Sequence, residues 1–260
     1  MNANSNPVGK RCLAVLAALC LVSLIAHLAL FPALPEVVPT HFGVSGEVDG
    51  WSDKRMALLL DALPLVLLGL FWLVPRIDPK GEAYAKSGRV YQGFVTLFTL
   101  FMIAMTWTTE AAALGWLPSE RAVGLAVPVF VGVMLLALGN YLPRVRQNYT
   151  FGIKTPWALA DAENWRRTQR FGGVCFMVCG LAFIAEGVMD LGAAGLVASL
   201  ALTVAACVAC CGYSYLLWRR SREHRGLAYL TSMSSYSCVP RPIFSAWLMQ
   251  LFQSVSGCVT

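Results

Sequence analysis

The sequence predicts an all-α polytopic membrane protein with six transmembrane helices and both termini in the cytoplasm. Three observations carry this. Of 260 residues, 57% are hydrophobic and only 13% are charged, whereas soluble domains run near about one quarter charged; the mean hydropathy is +0.62. The apolar residues are gathered into six blocks, each of about the 20 residues a helix needs to cross roughly 30 Å of hydrocarbon. Lysine and arginine, finally, are concentrated in alternate connections.

The blocks are 13–31, 56–74, 90–109, 122–142, 171–189 and 191–218. Lipid supplies no partners for backbone N–H and C=O groups, so each should be a helix, whose hydrogen bonds are internal. Pro64 and Pro128 should kink their helices rather than end them. The first block follows Lys10 and Arg11. It exceeds the apolar core of a secretory signal and lacks a small-x-small cleavage pattern behind it, so it is read as a retained helix.

Orientation follows from counting basic residues in the loops. Lys54, Arg55 and Arg121 are three of the 20; the other seventeen lie in the amino terminus, 75–89, 143–170 and the segment after Trp218, which are therefore cytoplasmic. Acids are skewed the other way, with Glu36, Glu47, Asp49, Asp53, Asp61, Glu110, Glu120, Glu186 and Asp190 in or near the outer half. Such an outer face attracts cationic peptides, and the inner face suits anionic lipid or an acidic partner.

None of the nine cysteines falls in an outer loop, and Cys207-x-x-Cys210 lies inside an uncharged block. That placement favours helix packing over zinc or redox chemistry. His27, late in the first block, is expected to hydrogen-bond a neighbouring helix in a packing role, with a proton relay as the competing reading. Asp61 is either a hydrated acid near the outer interface, paired with Arg55, or an intramembrane coupling carboxylate.

Two connections are long and carry the least generic residues. In the outer one, 32–55, Pro35 and Pro39 favour extended backbone around Val37-Val38 and Thr40-His41-Phe42, while Gly46 and Asp49-Gly50 supply turns. His41, Glu47, Asp49 and Asp53 would suit a divalent cation by chemistry. Their spacing matches no metal signature, and Asp49 capping its own turn is the competing reading. In the inner connection, 143–170, Asp161 should cap an amphipathic helix lying along the membrane surface, with Trp157 and Trp165 as headgroup anchors. No cofactor or metal is expected, and no direct nucleic-acid contact.

At these two connections the chain resembles the SdpI family of bacterial membrane proteins. The outer segment is similar to the family's DUF1648 signature through Pro39, His41, Gly46, Asp49, Gly50 and Lys54. The inner one is similar to its second signature, through Gly139, Asn140, Tyr141, Pro143, Asn148, Tyr149, Gly152, Ile153, Thr155, Pro156, Trp157, Trp165, Thr168, Arg170 and Gly173. Lys154 stands where the pattern calls for Arg, and Gln169 where the family often has His. The resemblance implies a DUF1648-like part at 1–89, an SdpI-like four-helix part at 90–225, and an atypical tail at 226–260. It further implies a multi-pass protein of the bacterial inner membrane that meets lipid and a secreted, membrane-active peptide toxin, and that holds an ArsR-type repressor at its cytoplasmic face. The two matched loops would be its binding surfaces.

Two other classes compete. The blocks divide as three plus three with inverted orientation, as in secondary carriers, and Asp61 would then be the coupling acid. An enzyme is disfavoured, because no paired nucleophile and base, phosphate loop or H-E-x-x-H is present; a metal hydrolase built on His41 would be its only form.

Overall fold

A computed structural model describes residues 7–43, 47–79, 84, 88–117, 120–149 and 151–236, with side chains for all of these except 120, 121 and 224–236. The elements are α1 (Lys10–Leu30), a hairpin of β1 (Val37–Phe42) and β2 (Val48–Asp53), and α2 (Lys54–Ile77). They continue as α3 (Gly88–Ala113), α4 (Glu120–Tyr141), the short α5 (Pro156–Ala160), α6 (Ala162–Met189) and α7 (Gly192–Tyr236). Six of the helices, all but α5, contain stretches long and apolar enough to cross a membrane.

The chain divides into two compact units, residues 1–215 and 216–260. The second is helical through Tyr236, and Arg219 pairs with Glu223 one turn on at 3.2 Å. Residues 237–260, including the apolar piece at 243–252, lie outside the described residues.

In the first unit, apolar side chains point outward as well as inward. Val15, Val22 and Ile25 on α1, Leu59 and Val66 on α2, and Val174 and Leu181 on α6 are all exposed, as lipid-facing positions should be. The packed faces recur at intervals of three and four residues: Leu16, Cys20, Ser23 and His27 on α1, and Ala57, Asp61, Pro64 and Leu68 on α2. Both helices therefore turn an ionisable side chain into the bundle.

Proline is accommodated without loss of the helix. Pro75 has no N–H for the carbonyl four residues back, and Tyr91 Oη on α3 donates to that Phe71 oxygen at 2.7 Å instead.

The α4–α6 contact is built from glycine. Gly132 and Gly139 on α4, and Gly173, Gly180 and Gly187 on α6, are seven residues apart and so share one face of each helix. A Cβ on Gly139 would lie 2.6 Å from Gly173 O, one on Gly180 2.6 Å from Gly132 O, and one on Gly187 2.5 Å from Leu125 O. The pairing order is antiparallel, and the backbones approach as closely as small residues allow.

The hairpin sits at the end of the bundle where α1 stops and α2 starts. Register runs Val37 to Asp53, Val38 to Ser52, Pro39 to Trp51, His41 to Gly50 and Phe42 to Val48, with irregularities on both sides of His41. Asp49-Gly50 is thus part of β2 rather than the turn expected there, because pairing with His41-Phe42 uses its backbone. Gly46 lies outside the described residues. Val38 is fully buried and packs with Leu34 and Ala57, with Phe31, Ala113 and Leu114 around them, which seats the hairpin on α2 and α3.

Asp161 caps a helix as expected, its Oδ1 accepting from Asn164 N–H at 2.7 Å. The helix is α6 itself, which runs unbroken from Ala162 into the span. No separate surface helix forms, since nothing between Asp161 and Phe171 interrupts the backbone ladder. Trp165 is buried rather than at headgroup level, and its Nε1 donates to Val145 O at 2.9 Å. Trp157 packs edge-on against Tyr215, ring centroids 5.2 Å apart.

Candidate functional site

At the hairpin, strand pairing leaves a polar patch exposed. His41 Nδ1 lies 2.5 Å from Asp49 Oδ1, with the two side chains 72% and 53% exposed. Gly50 stands opposite His41, where a Cβ would come within 2.7 Å of His41 Cβ, so the motif glycine makes room for the imidazole. Pro39 is buried against the bundle, and Thr40 Oγ1 meets Ser52 Oγ at 3.1 Å. Lys54 clasps the base of the hairpin: its N–H donates to Glu36 O at 3.1 Å, its Nζ to Glu36 Oε1 at 2.8 Å, and the ammonium lies 5.1 Å from the Phe31 ring centroid. Asp53 caps α2 by accepting from Arg55 N–H at 2.8 Å. The four candidate outer ligands therefore do not converge.

Below the hairpin, the structure assembles three ionisable side chains that the sequence had left apart. His27 from α1, Asp61 from α2 and Glu110 from α3 are 0%, 5% and 2% exposed. His27 Nδ1 is 3.1 Å from Glu110 Oε1, and its Nε2 is 3.7 Å from Asp61 Oδ1. Asp61 is thus buried in the bundle facing His27, with no ion pair to Arg55 among the described residues. His27 also lies against Trp107, ring centroids 4.4 Å apart, and Trp107 Nε1 donates to Ser23 Oγ at 2.9 Å. Among the described residues this is the group of three whose donors could hold one metal ion.

Two cavities open beside these features. One, of about 140 Å³, is lined by Asp61, Glu110, Thr106, Thr109, Met105 and Val38. The other, of about 260 Å³, lies between the hairpin residues Thr40, His41 and Phe42 and the helices α3, α4 and α6. Met105, Val127 and Phe183 supply apolar wall to it, and Glu186 and Asp190 supply acid.

At the opposite end, the second set of motif residues is consumed in building the loop. Asn148 Nδ2 donates to Arg146 O and Phe151 O at 2.8 and 3.0 Å, and its Oδ1 accepts from Phe151 N–H at 2.6 Å. Gln169, where the resemblance led one to look for His, accepts from Ile153 N–H at 3.1 Å and donates to Ile153 O at 3.0 Å. Gly152 has φ +110°, a left-handed value open to glycine, and a Cβ there would come within 3.0 Å of Gln169 Oε1. Thr155 Oγ1 caps α5 by accepting from Ala158 N–H at 3.1 Å and bonds to Ser214 Oγ. Ser214 Oγ and Thr168 Oγ1 both donate to Asn164 Oδ1 at 2.9 Å, and Asn164 Nδ2 donates to Ser214 O at 2.9 Å. Tyr141 and Pro143 pack against Gly93 and Gly173. Asn140, Tyr149, Lys154, Pro156 and Arg170 remain on the surface.

A six-span bundle with a capped extended hairpin at one end and a hydrogen-bonded loop at the other defines a multi-pass membrane protein built around two structured connections. Both connections match known families. Residues 18–68 match the model described as "Domain of unknown function (DUF1648)", and residues 144–214 match that of the SdpI/YfhL protein family. "Immunity protein SdpI" of Bacillus subtilis (strain 168) is 24% identical over 165 residues, covering 61% of this chain and 73% of that protein. Over these segments the chain is similar to SdpI-type proteins, and with its six apolar helices it is a multi-pass protein of the bacterial inner membrane. No solved structure matches it.

Proposed function

We propose that this protein performs an immunity-type function, intercepting a membrane-active peptide toxin at its hairpin end on the extracytoplasmic side, with both termini in the cytoplasm. The observation that carries this reading is the cavity of about 260 Å³ beneath His41, apolar within and acidic at Glu186 and Asp190. A toxin that inserts into bilayers is amphipathic. Its apolar side chains would enter against Met105, Val127 and Phe183, while its cationic groups meet the carboxylates at the rim and on the hairpin. Held there, the peptide is withdrawn from the lipid it would otherwise permeabilise. The similarity to an immunity protein supports the same role.

At the other end, exposed Arg144, Arg146, Lys154 and Arg170 give the cytosolic face a positive surface suited to an acidic patch on an ArsR-type repressor. In this division of labour, 1–89 carries the toxin-facing hairpin, 90–225 the cytosolic dock, and 226–260 is the tail.

The test is protection of membrane potential, followed with a voltage-sensitive dye in cells challenged with cationic amphipathic toxins. Expression should raise the toxin concentration needed for collapse. His41→Ala, Asp49→Ala or a cavity-filling Val127→Trp should each reduce that protection by about tenfold, the effect of ~1.4 kcal/mol on an affinity. Collapse curves identical with and without the protein would remove the reading.

A further inference from the structure

We propose that His27, Asp61 and Glu110 form a binding site for a divalent transition-metal cation of the zinc or manganese class, pinning α1, α2 and α3 together beneath the hairpin. The inference does not depend on toxin binding.

The first support is convergence. One donor atom from each residue lies within 4.8 Å of the others, and all three residues are at least nine-tenths buried. The separation exceeds that between ligands about 2.0–2.2 Å from one ion, so modest side-chain rotation would close it.

The second support is that the donors are otherwise unused. Both ring nitrogens of His27, Asp61 Oδ2 and both carboxylate oxygens of Glu110 lack an aligned hydrogen-bond partner among the described residues, and the nearest polar neighbours of the two carboxyls are each other and the imidazole. The 3.1 Å approach of His27 Nδ1 to Glu110 Oε1 is short enough for a hydrogen bond but is not aligned as one. Polar atoms buried at a membrane-spanning depth are costly unless something satisfies them. Neither carboxylate is paired with a lysine or arginine among the described residues, so a doubly charged cation supplies the missing countercharge.

Ligand chemistry narrows the class. One imidazole with two carboxylates suits zinc, manganese or ferrous iron. Calcium and magnesium prefer an oxygen-only shell, which His27 does not offer. A single ion takes one ring nitrogen. The other keeps its proton, and Trp107 against the ring restrains the imidazole. The cavity of about 140 Å³ bordered by Asp61 and Glu110 offers an entry route and space for water on the remaining positions.

The experiment uses the full chain, purified in nanodiscs and stripped with chelator, then dialysed against Zn²⁺ or Mn²⁺. The expected result is one ion per chain by elemental analysis, with affinity falling at least about tenfold in His27→Gln and Glu110→Gln. Should those variants fail to fold, Co²⁺ in the wild-type protein keeps the question open to measurement. Its visible d–d bands should appear in the wild-type protein, change shape in Glu110→Asp, and stay unchanged in His41→Ala. Absence of stoichiometric metal in folded wild-type protein, or binding that is lost with His41→Ala instead, overturns the proposal.

Discussion

The hairpin and the loop at the far end carry the two most specific residue patterns in this chain, and they use them in opposite ways. In the hairpin, strand pairing satisfies the backbone and leaves His41 and Asp49 facing out, 72% and 53% exposed. In the loop, Asn148, Thr155, Asn164, Trp165, Thr168 and Gln169 are all buried, and each spends its hydrogen-bonding groups on the fold. A recurring polar residue in a connection is therefore not by itself a ligand site. Where donors and acceptors are consumed internally, the pattern specifies a shape; where they remain outside after folding, it is available to a partner.

That contrast can be broken most sharply at Trp165. Trp165→Ala removes a buried indole and leaves Val145 O without its donor, and should lower unfolding stability by about 3–5 kcal/mol. Loss of the cooperative thermal transition in detergent would register it. A near-normal transition would mean that the loop is less integral to the bundle than its hydrogen bonds indicate. Gln169→Leu is a smaller disruption of similar shape. It orphans the partly buried Ile153 N–H and C=O, at about 1–3 kcal/mol for the two together, and should raise the protease sensitivity of the 143–161 segment before the helices unfold.

Much of this was legible in advance. The spans follow from the length of the apolar runs, since a single segment of about 20 apolar residues satisfies its own backbone in lipid as a helix, and the Asp161 cap follows from its position ahead of a helix. The length of α6 was misread because Trp165, Arg166 and Arg170 look amphipathic in isolation, whereas the indole is drawn inward by Val145. The glycine seam went unread, although glycines seven residues apart at 132 and 139 and again at 173, 180 and 187 carry its signal. The cluster of His27, Asp61 and Glu110 has no such spacing, because its members are 34 and 49 residues apart and nothing local joins them. The signal available was energetic. Three ionisable groups in three successive spans, each toward the same end, are costly singly and inexpensive together.

The smallest stability effects belong to the hairpin, and they test the other half of the comparison. Lys54→Ala removes an ion pair whose Glu36 partner is 82% exposed, together with the contact of the ammonium with Phe31. It should cost about 1 kcal/mol or less, since exposed pairs and cation–π contacts each contribute little. His41→Ala should cost less still, because the imidazole covers almost nothing and its Asp49 partner stays hydrated. If the hairpin is a recognition surface, His41→Ala leaves the melting temperature of the purified protein within about 2 °C, as expected for a change of a few tenths of a kcal/mol, while toxin protection falls. A matched drop in both would place His41 with Trp165, as a residue that shapes its loop, and would erase the distinction between the two ends of the molecule.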